Sequence, residues 1–409
     1  MKLATFTAIS HFLLLLCCIM FFYPYFNNPF VFGGTPPSTC PGSAQGYMGI
    51  SVAHRYGPCS PLGQEKSDVI SAQIFLHDER RVQSINALGP SNGLGTPIRN
   101  FYLTLDTGSD VTWIRCKPCS RCRGGPKTTI FDPKSSSTFS KTHCNSSDCS
   151  NLIGYSDTTH AKGYWASDTL TISPSDSIQN FNFVCVNDTS TEDVGLLAFG
   201  HGDENSLVTR TSKNVFCHCL PSEDETGYLL FGPEAREICQ VGNFTPLVSN
   251  PPQYVGKYLV NFVGISIGNK TLKITSSSTG TMIDSGAVIT RLPGTVYEQF
   301  SSVFSKHMED YGLTRTNGVE ILDTCYELKG YKCDTAKIPA VVLHFENLDV
   351  NLDSSQVLWK NSSVCCLAFA GNEAADDMVI IGNHQLQKLN VLYDIQKSKV
   401  GIGAGNCGR

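Results

Sequence analysis

Two short segments of this 409-residue chain put a carboxylate where chemistry can be done: LTLDTGSDVTW around Asp106, and TMIDSGAVITR around Asp284, 178 residues later. In both, an apolar run meets Asp, then Thr107 or Ser285, then Gly108 or Gly286, with a threonine after the next apolar residue. Either segment alone is an ordinary turn. As a pair with matched flanks they imply two similar lobes, each with a carboxylate at the tip of a strand. Facing carboxyls that share a proton cannot both ionise, so one stays an acid while the other is a base. Such a pair can activate a water and protonate a leaving amine. That chemistry needs no metal and no organic cofactor.

The elements that must hold these tips are strands. From Gly93 on, runs such as FYLTL, DTLTI, FNFVCV, GYLLFG and YLVNFVGISIG alternate with Ser/Gly/Asn/Asp/Pro clusters, a mostly β pattern. The clearest helix is Thr295 to Glu309, with Val296, Phe300 and Phe304 at helical spacing. Residues Asn27 to Asn92 differ, opening Pro/Gly-rich and continuing as DVISAQIFLHDERRVQSI behind a Ser67/Asp68 cap, which predicts one amphipathic helix outside the main body. GISIG at Gly264 to Gly268 fits the G-x-S-x-G elbow of serine hydrolases, but NKTLKI follows it as another strand pattern. Ser266 therefore reads as part of a hairpin strand.

Composition narrows the setting. A net charge of −5, from 31 basic and 36 acidic residues, gives no footprint for nucleic acid. Charged residues make up 16%, and Ser, Thr, Asn and Gly fill the gap, which suits a secreted surface. Lys2 ahead of the apolar run Phe12 to Phe22 reads as a secretory signal, and no later apolar run is long, so no stable membrane association is expected after its removal. Sequons at Asn145, Asn187, Asn243, Asn269 and Asn361 agree with that compartment. Of 18 cysteines, Cys17 and Cys18 leave with the signal, and the remaining even number permits complete pairing without fixing connectivity. Cys116, Cys119, Cys122 and Cys144, with His143, have the residue types of a zinc site, but an oxidising lumen favours disulfides.

The chain resembles the pepsin-like aspartic proteases, the nepenthesin-like plant group in particular, from Gly93 to Cys407 and in SVAHRYGPCSPLG upstream. LGTPIRNFYLTLDTGSDVTWIRCKPCSRC matches the first active-site strand and its Cys-rich continuation, and GTMIDSGAVITRLP the second. NVFCHCLPS, GYLLFG, ILDTCYEL, VCCLAFAGN and IIGNHQLQKLNVLYDIQKSKVGIG follow in family order. The resemblance implies an all-β, bilobal pepsin-like acid protease fold with a few short helices. It implies a secreted proenzyme with a signal at 1–22, a propeptide at 23–91, an N-terminal lobe at 92–246 and a C-terminal lobe at 247–409. By the same likeness Asp106 and Asp284 are the catalytic dyad. Thr107 and Ser285 brace the two loops, Gly108 and Gly286 shape them, and Ser109 bonds the first aspartate. Tyr155 is the tip of a β-hairpin flap, with Trp113 as its indole partner.

The resemblance further implies disulfides Cys219–Cys407 and Cys325–Cys366, with Cys217, Cys239 and Cys365 as extras that leave room for an unpaired thiol. A polypeptide substrate is expected in the interlobe cleft of a monomer found in the extracellular space or the vacuole. The residues up to about Ser91 are expected to cover that cleft, with Arg80 and Arg81 as candidates to neutralise the dyad.

Some positions depart from the family. ALGPSN stands where the family has a strand of the lobe-joining sheet, so that strand is expected to be missing. Only NLIG separates Ser150 from Tyr155, and Ser156 replaces a flap glycine. Ala287 stands in place of a hydroxyl donor to the second aspartate, which points to a working pH nearer neutral. Ala198 replaces a glycine beside the first aspartate, where its methyl is expected to crowd the loop. The alternative is a catalytically weak or inactive pepsin-fold protein that binds or inhibits.

Overall fold

The computed structural model describes residues 49–54, 59, 85–87, 93–119, 121–122, 130–142, 150–154, 160–173, 176–190, 195–202, 206–211, 214–222, 225–274, 280–327, 337–360, 364–372 and 377–407. The first half of the chain supplies β1 (Gly49–His54), β2 (Ile85–Ala87), β3 (Leu103–Asp106), β4 (Trp113–Arg115), β5 (Ser150–Gly154), β6 (His160–Ser173), β7 (Asp176–Thr189), β8 (Gly195–Ala198), β9 (Val215–Cys219) and β10 (Thr226–Phe231). All four residues of β3 are buried, so both its apolar leucines and its polar Thr104 and Asp106 lie inside the protein although LTLD alternates in polarity. β3 runs parallel to β8, with Ala198 opposite Asp106; β8 meets β4 antiparallel; and β4 runs parallel to β7, with Trp113 opposite Val184.

The second half repeats that arrangement with β11 (Phe262–Ile267), β12 (Lys270–Lys273), β13 (Thr281–Ile283), β14 (Thr290–Leu292), α1 (Gly294–Asp310), β15 (Val341–Phe345), β16 (Leu348–Leu352), β17 (Phe369–Gly371), β18 (Val379–Ile381), β19 (Leu389–Asp394) and β20 (Lys399–Ala404). Here β13 runs parallel to β18, β18 meets β14 antiparallel, and β14 runs parallel to β17. The sequence repeat is thus a repeat of strand pairing.

One 16-stranded sheet carries the first aspartate's strand and the chain's last strands together, in the order β20, β19, β9, β10, β1, β2, β3 along its middle. The lobe-joining strand expected to be missing is present. Val52 of β1 faces Gly227 of β10 on one side and Ala87 of β2 on the other, and Asn86 of β2 faces Thr104 of β3. GISVAH is a strand by its own composition. Ile50, Val52, Ala53 and His54 are all buried, so both faces of β1 are covered. The place left vacant around ALGPSN is filled from residues read as propeptide on the resemblance. Arg80, Arg81, the helix expected after Asp68 and the segment 1–22 lie outside the described residues.

α1 covers the predicted helix with one residue more at each end. Pro293 precedes its first turn, and Gly312, at φ +94°, follows its end in a conformation that glycine adopts at low cost. Tyr297, Phe300, Phe304 and Met308 form the buried stripe. Phe300 meets Phe369 edge-on at 5.1 Å and Phe304 meets Tyr326 at 6.2 Å, so the helix is held by ring packing against the C-terminal lobe's strands. No helix among the described residues is long and apolar enough to cross a membrane.

Disulfides join Cys116 to Cys185, Cys119 to Cys122, Cys217 to Cys239, Cys219 to Cys407 and Cys325 to Cys366. Cys59 and Cys365 are disulfide-bonded too. The three apparent extras are therefore all paired: Cys217 lies on β9 within reach of Cys239, a neighbour that sequence spacing does not reveal.

Because Val52 is fully buried between two strands, Val52→Ala in the full chain is expected to lower unfolding free energy by about 2 kcal/mol. Urea unfolding followed by fluorescence measures it; an unchanged midpoint would remove β1 from the folded core.

Candidate active site

Asp106 and Asp284 are 1% and 3% exposed, and their loops are tied together by hydrogen bonds that mirror each other. Thr107 N–H donates to Ser285 Oγ at 3.1 Å, and Ser285 N–H donates to Thr107 Oγ1 at 2.9 Å. The hydroxyls then donate onward across the lobes, Thr107 Oγ1 to the carbonyl of Ile283 at 3.2 Å and Ser285 Oγ to that of Leu105 at 3.1 Å. Each hydroxyl is thereby both acceptor and donor, which only Ser or Thr can supply in so small a volume. Within each loop the glycine N–H turns back to the carboxylate, Gly108 to Asp106 Oδ1 at 2.7 Å and Gly286 to Asp284 Oδ1 at 2.8 Å. Ser109 Oγ adds a 2.5 Å bond to Asp106 Oδ2, where the second loop has Ala287.

The space at Gly286 shows how closely the carboxylates converge. A Cβ built there would stand 2.5 Å from Asp106 Oδ1 and 3.0 Å from Asp284 Oδ1, so one methyl would strike a carboxylate from each lobe. The mirror relation extends outward. Ala198 N–H donates to Thr112 Oγ1 at 3.1 Å and Gly382 N–H to Thr290 Oγ1 at 3.2 Å, with Thr112 and Thr290 again 178 apart. A methyl at Gly382 would meet the Ile289 backbone at 2.5 Å, whereas Ala198 is buried among apolar neighbours with its amide bond intact. The crowding expected from Ala198 therefore does not displace the loop.

The sequence reading missed what holds Asp110. Its carboxylate accepts a hydrogen bond from Lys257 Nζ and a 3.3 Å bond from Gly202 N–H, an ion pair that ties the first aspartate's loop to the start of the second repeat. A Cβ at Gly200 would lie 2.0 Å from Asp110 Oδ1, and one at Gly256, which has φ +81°, 2.5 Å from it. Glycines at 200, 202 and 256 were the available signal, but they lie too far apart in sequence to be read as one cradle. Beside them the His201 ring lies 5.0 Å from Tyr258, and burial lowers its pKa.

Trp113 is fully buried against Ala161, Val184, Leu196 and Ala198, with Ile153 of β5 packed alongside. β5 and β6 form an antiparallel hairpin with Gly154 opposite His160. Tyr155 and Ser156, in the segment joining them, lie outside the described residues, so the expected Trp113–Tyr155 contact does too.

A family model described as xylanase inhibitor N-terminal matches residues 91–233, and one described as xylanase inhibitor C-terminal matches 257–404. Aspartyl protease AED1 of Arabidopsis thaliana is 34% identical over 88% of this chain and 86% of its own length. Aspartic proteinase nepenthesin-2 of Nepenthes gracilis is 29% identical over 81% and 84%. Among solved structures, lupine conglutin gamma superposes with a TM-score of 0.61 at 19% identity over 79% of this chain and 92% of its own. The structure titled edgp superposes at 0.63 and 18% over 90% and 96%, and at these identities the likeness is one of fold.

Beneath the brace stands a buried polar column. His218 Nε2 lies 3.3 Å from the Tyr393 hydroxyl. Phe216 stacks on Tyr393 at 4.4 Å and Tyr258 lies 4.5 Å from Tyr393 and 5.8 Å from Phe216, and burial drives the Tyr393 and Tyr258 pKa values upward. Burial pushes the His218 pKa down to about 3, and its Nδ1 has no hydrogen-bond partner among the described residues. An unfolded chain's histidine titrates near ~6.5. His218 stabilisation is therefore complete above that pH and is lost as pH falls toward 3, by about 1.4 kcal/mol per unit, because only the unfolded chain takes up the proton. His218→Asn is expected to flatten the melting temperature between pH 6.5 and 4 relative to the parent chain. Thermal melts across that range test it, and parallel profiles would mean that another group carries the acid sensitivity.

Proposed function

Since the chain belongs to the plant pepsin-like aspartyl protease family, we propose that it is an aspartic endopeptidase that cleaves polypeptides with a water held between Asp106 and Asp284. The observation that carries this reading is the crossed brace of Thr107 and Ser285, which brings a carboxylate of each lobe against Gly286. Two carboxyls so close hold one proton between them. The ionised one takes a proton from the water as its oxygen attacks the scissile carbonyl carbon, and the protonated one donates to the carbonyl oxygen. A tetrahedral diol forms. As the C–N bond breaks the amine takes the dyad's proton while a hydroxyl of the diol gives its proton to the dyad, so the carboxylic acid leaves and the dyad returns to its shared-proton state.

The hydroxyl brace fixes both acids before substrate arrives, so little of the binding energy is spent on aligning them. Substrate lies extended in the interlobe cleft, hydrogen-bonded like an added strand, under the hairpin of β5 and β6. The chain is made as a secreted proenzyme with its signal at 1–22 and propeptide at 23–91, and it is a monomer bound for the extracellular space or the vacuole. In this reading β1 is propeptide sequence that has become part of the sheet.

The descriptions of the matched family models favour a second reading, a binder or inhibitor without turnover. Acid-treated recombinant chain separates the two. Pepstatin-sensitive digestion of a denatured protein, lost in both Asp106→Asn and Asp284→Asn, is the expected result; inhibitor-resistant digestion shared by all three chains would overturn the protease reading, and silence in all three would favour the binder. Ala287→Thr, which adds a hydroxyl donor beside Asp284, is expected to move the pH optimum of that digestion downward, as a rate–pH profile will show.

A further inference from the structure

A second constellation lies on the C-terminal lobe, away from the dyad loops. β12, β11, β15 and β16 form a four-stranded antiparallel sheet in that order. Its inner face buries Leu272, Ile265, Leu343 and Val350, and by the period of two its outer face presents Thr271, Ser266, His344 and Asp349, one from each strand. Thr271 faces Ser266, Gly264 faces His344, and His344 faces Asp349. Gly264 offers no side chain opposite His344, which leaves the imidazole room to lean to the diagonal Ser266.

The atoms form one directed chain. Ser266 Oγ is 2.6 Å from His344 Nε2, His344 Nδ1 is 2.7 Å from Asp349 Oδ1, and Thr271 Oγ1 is 2.8 Å from Ser266 Oγ. An ionised carboxylate only accepts, so the Nδ1 proton points to Asp349. In the neutral ring Nε2 is then an acceptor, Ser266 donates its hydroxyl proton to it, and the Thr271 hydroxyl donates to Ser266 Oγ. A hydroxyl nucleophile, a base within its reach and a carboxylate that orients the base are the parts of nucleophilic acyl transfer.

We propose that Ser266, His344 and Asp349 form a second reactive site, which takes the acyl group of small activated esters, independently of the aspartate pair. Ser266 Oγ bonds to the carbonyl carbon while its proton passes to His344 Nε2. The bond to the leaving oxygen breaks and that oxygen takes the proton from His344. A water, deprotonated by His344, then attacks the acyl-serine; the acid departs and the proton returns to Ser266.

The substrate class follows from what surrounds the serine. Ser266 lies mid-strand, its backbone engaged with β12 and β15, so charge on the carbonyl oxygen falls to exposed Lys273, on the same face as Thr271 and two residues on. The site is an open sheet face. It favours small esters with good leaving groups over peptides, which need binding energy that a flat face does not supply.

A fluorophosphonate probe tests this on the full chain at neutral pH: the Ser266 oxygen bonds to phosphorus, fluoride leaves, and the proton passes to His344. Peptide mapping by mass spectrometry is expected to find the adduct on Ser266 and not on Ser302, an exposed serine of α1 that serves as a control inside the same folded molecule. His344→Gln is expected to slow labelling by about 100-fold or more. Asp106→Asn should label like the parent, which separates failure here from failure of the protease reading. Equal adducts on Ser266 and Ser302, or undiminished labelling in His344→Gln, would overturn the proposal.

Discussion

Everything in this protein's candidate active site depends on two hydroxyls that reach across between loops 178 residues apart in sequence. Thr107 and Ser285 each satisfy an amide of the opposite loop and a carbonyl on the opposite strand. Both are buried, so sliding one repeat against the other would leave polar groups unsatisfied inside the protein, at about 1–3 kcal/mol each. That penalty opposes any shift of the two carboxylates out of register.

What lies under the brace shows how it is kept rigid. Aromatic rings of Phe216, Tyr258 and Tyr393 pack together below the loops. Such packing stiffens the floor, but it encloses His218 with one ring nitrogen unpaired among the described residues. The same dryness that sharpens hydrogen bonds at the site makes acid a stress on the fold. Asp110 and Lys257 add a tie at the side, fitted among glycines whose missing side chains leave room for the carboxylate.

Much of this was written locally and could be read there. The apolar strand, the aspartate, the small hydroxyl residue and the glycine are adjacent in sequence, so their repetition announced two equivalent loops. The helix from 294 to 310 declared itself by the spacing of Phe300 and Phe304. Partners set by the three-dimensional path were hidden. Nothing in GISVAH names Leu229 or Gly227 as its neighbours, because sheet pairing is not encoded by proximity along the chain. Lys257 could not be matched to Asp110, nor Cys217 to Cys239, for the same reason. Ser266 is a different case: the G-x-S-x-G match drew attention to it for a turn it does not make, while its actual partners, His344 and Asp349, stand on strands about 80 residues further on.

β1 changes what maturation can mean for this molecule. Its residues sit between β10 and β2, bonded on both sides and closed in on both faces. A cut in the segment between 60 and 84 would sever the covalent chain without opening the sheet, so the upstream piece would remain as a structural subunit and not diffuse away as a released peptide. The processed protein would then be a two-chain molecule that runs as one species under native conditions and as two when denatured and reduced, with the smaller chain supplying the strand between β10 and β2.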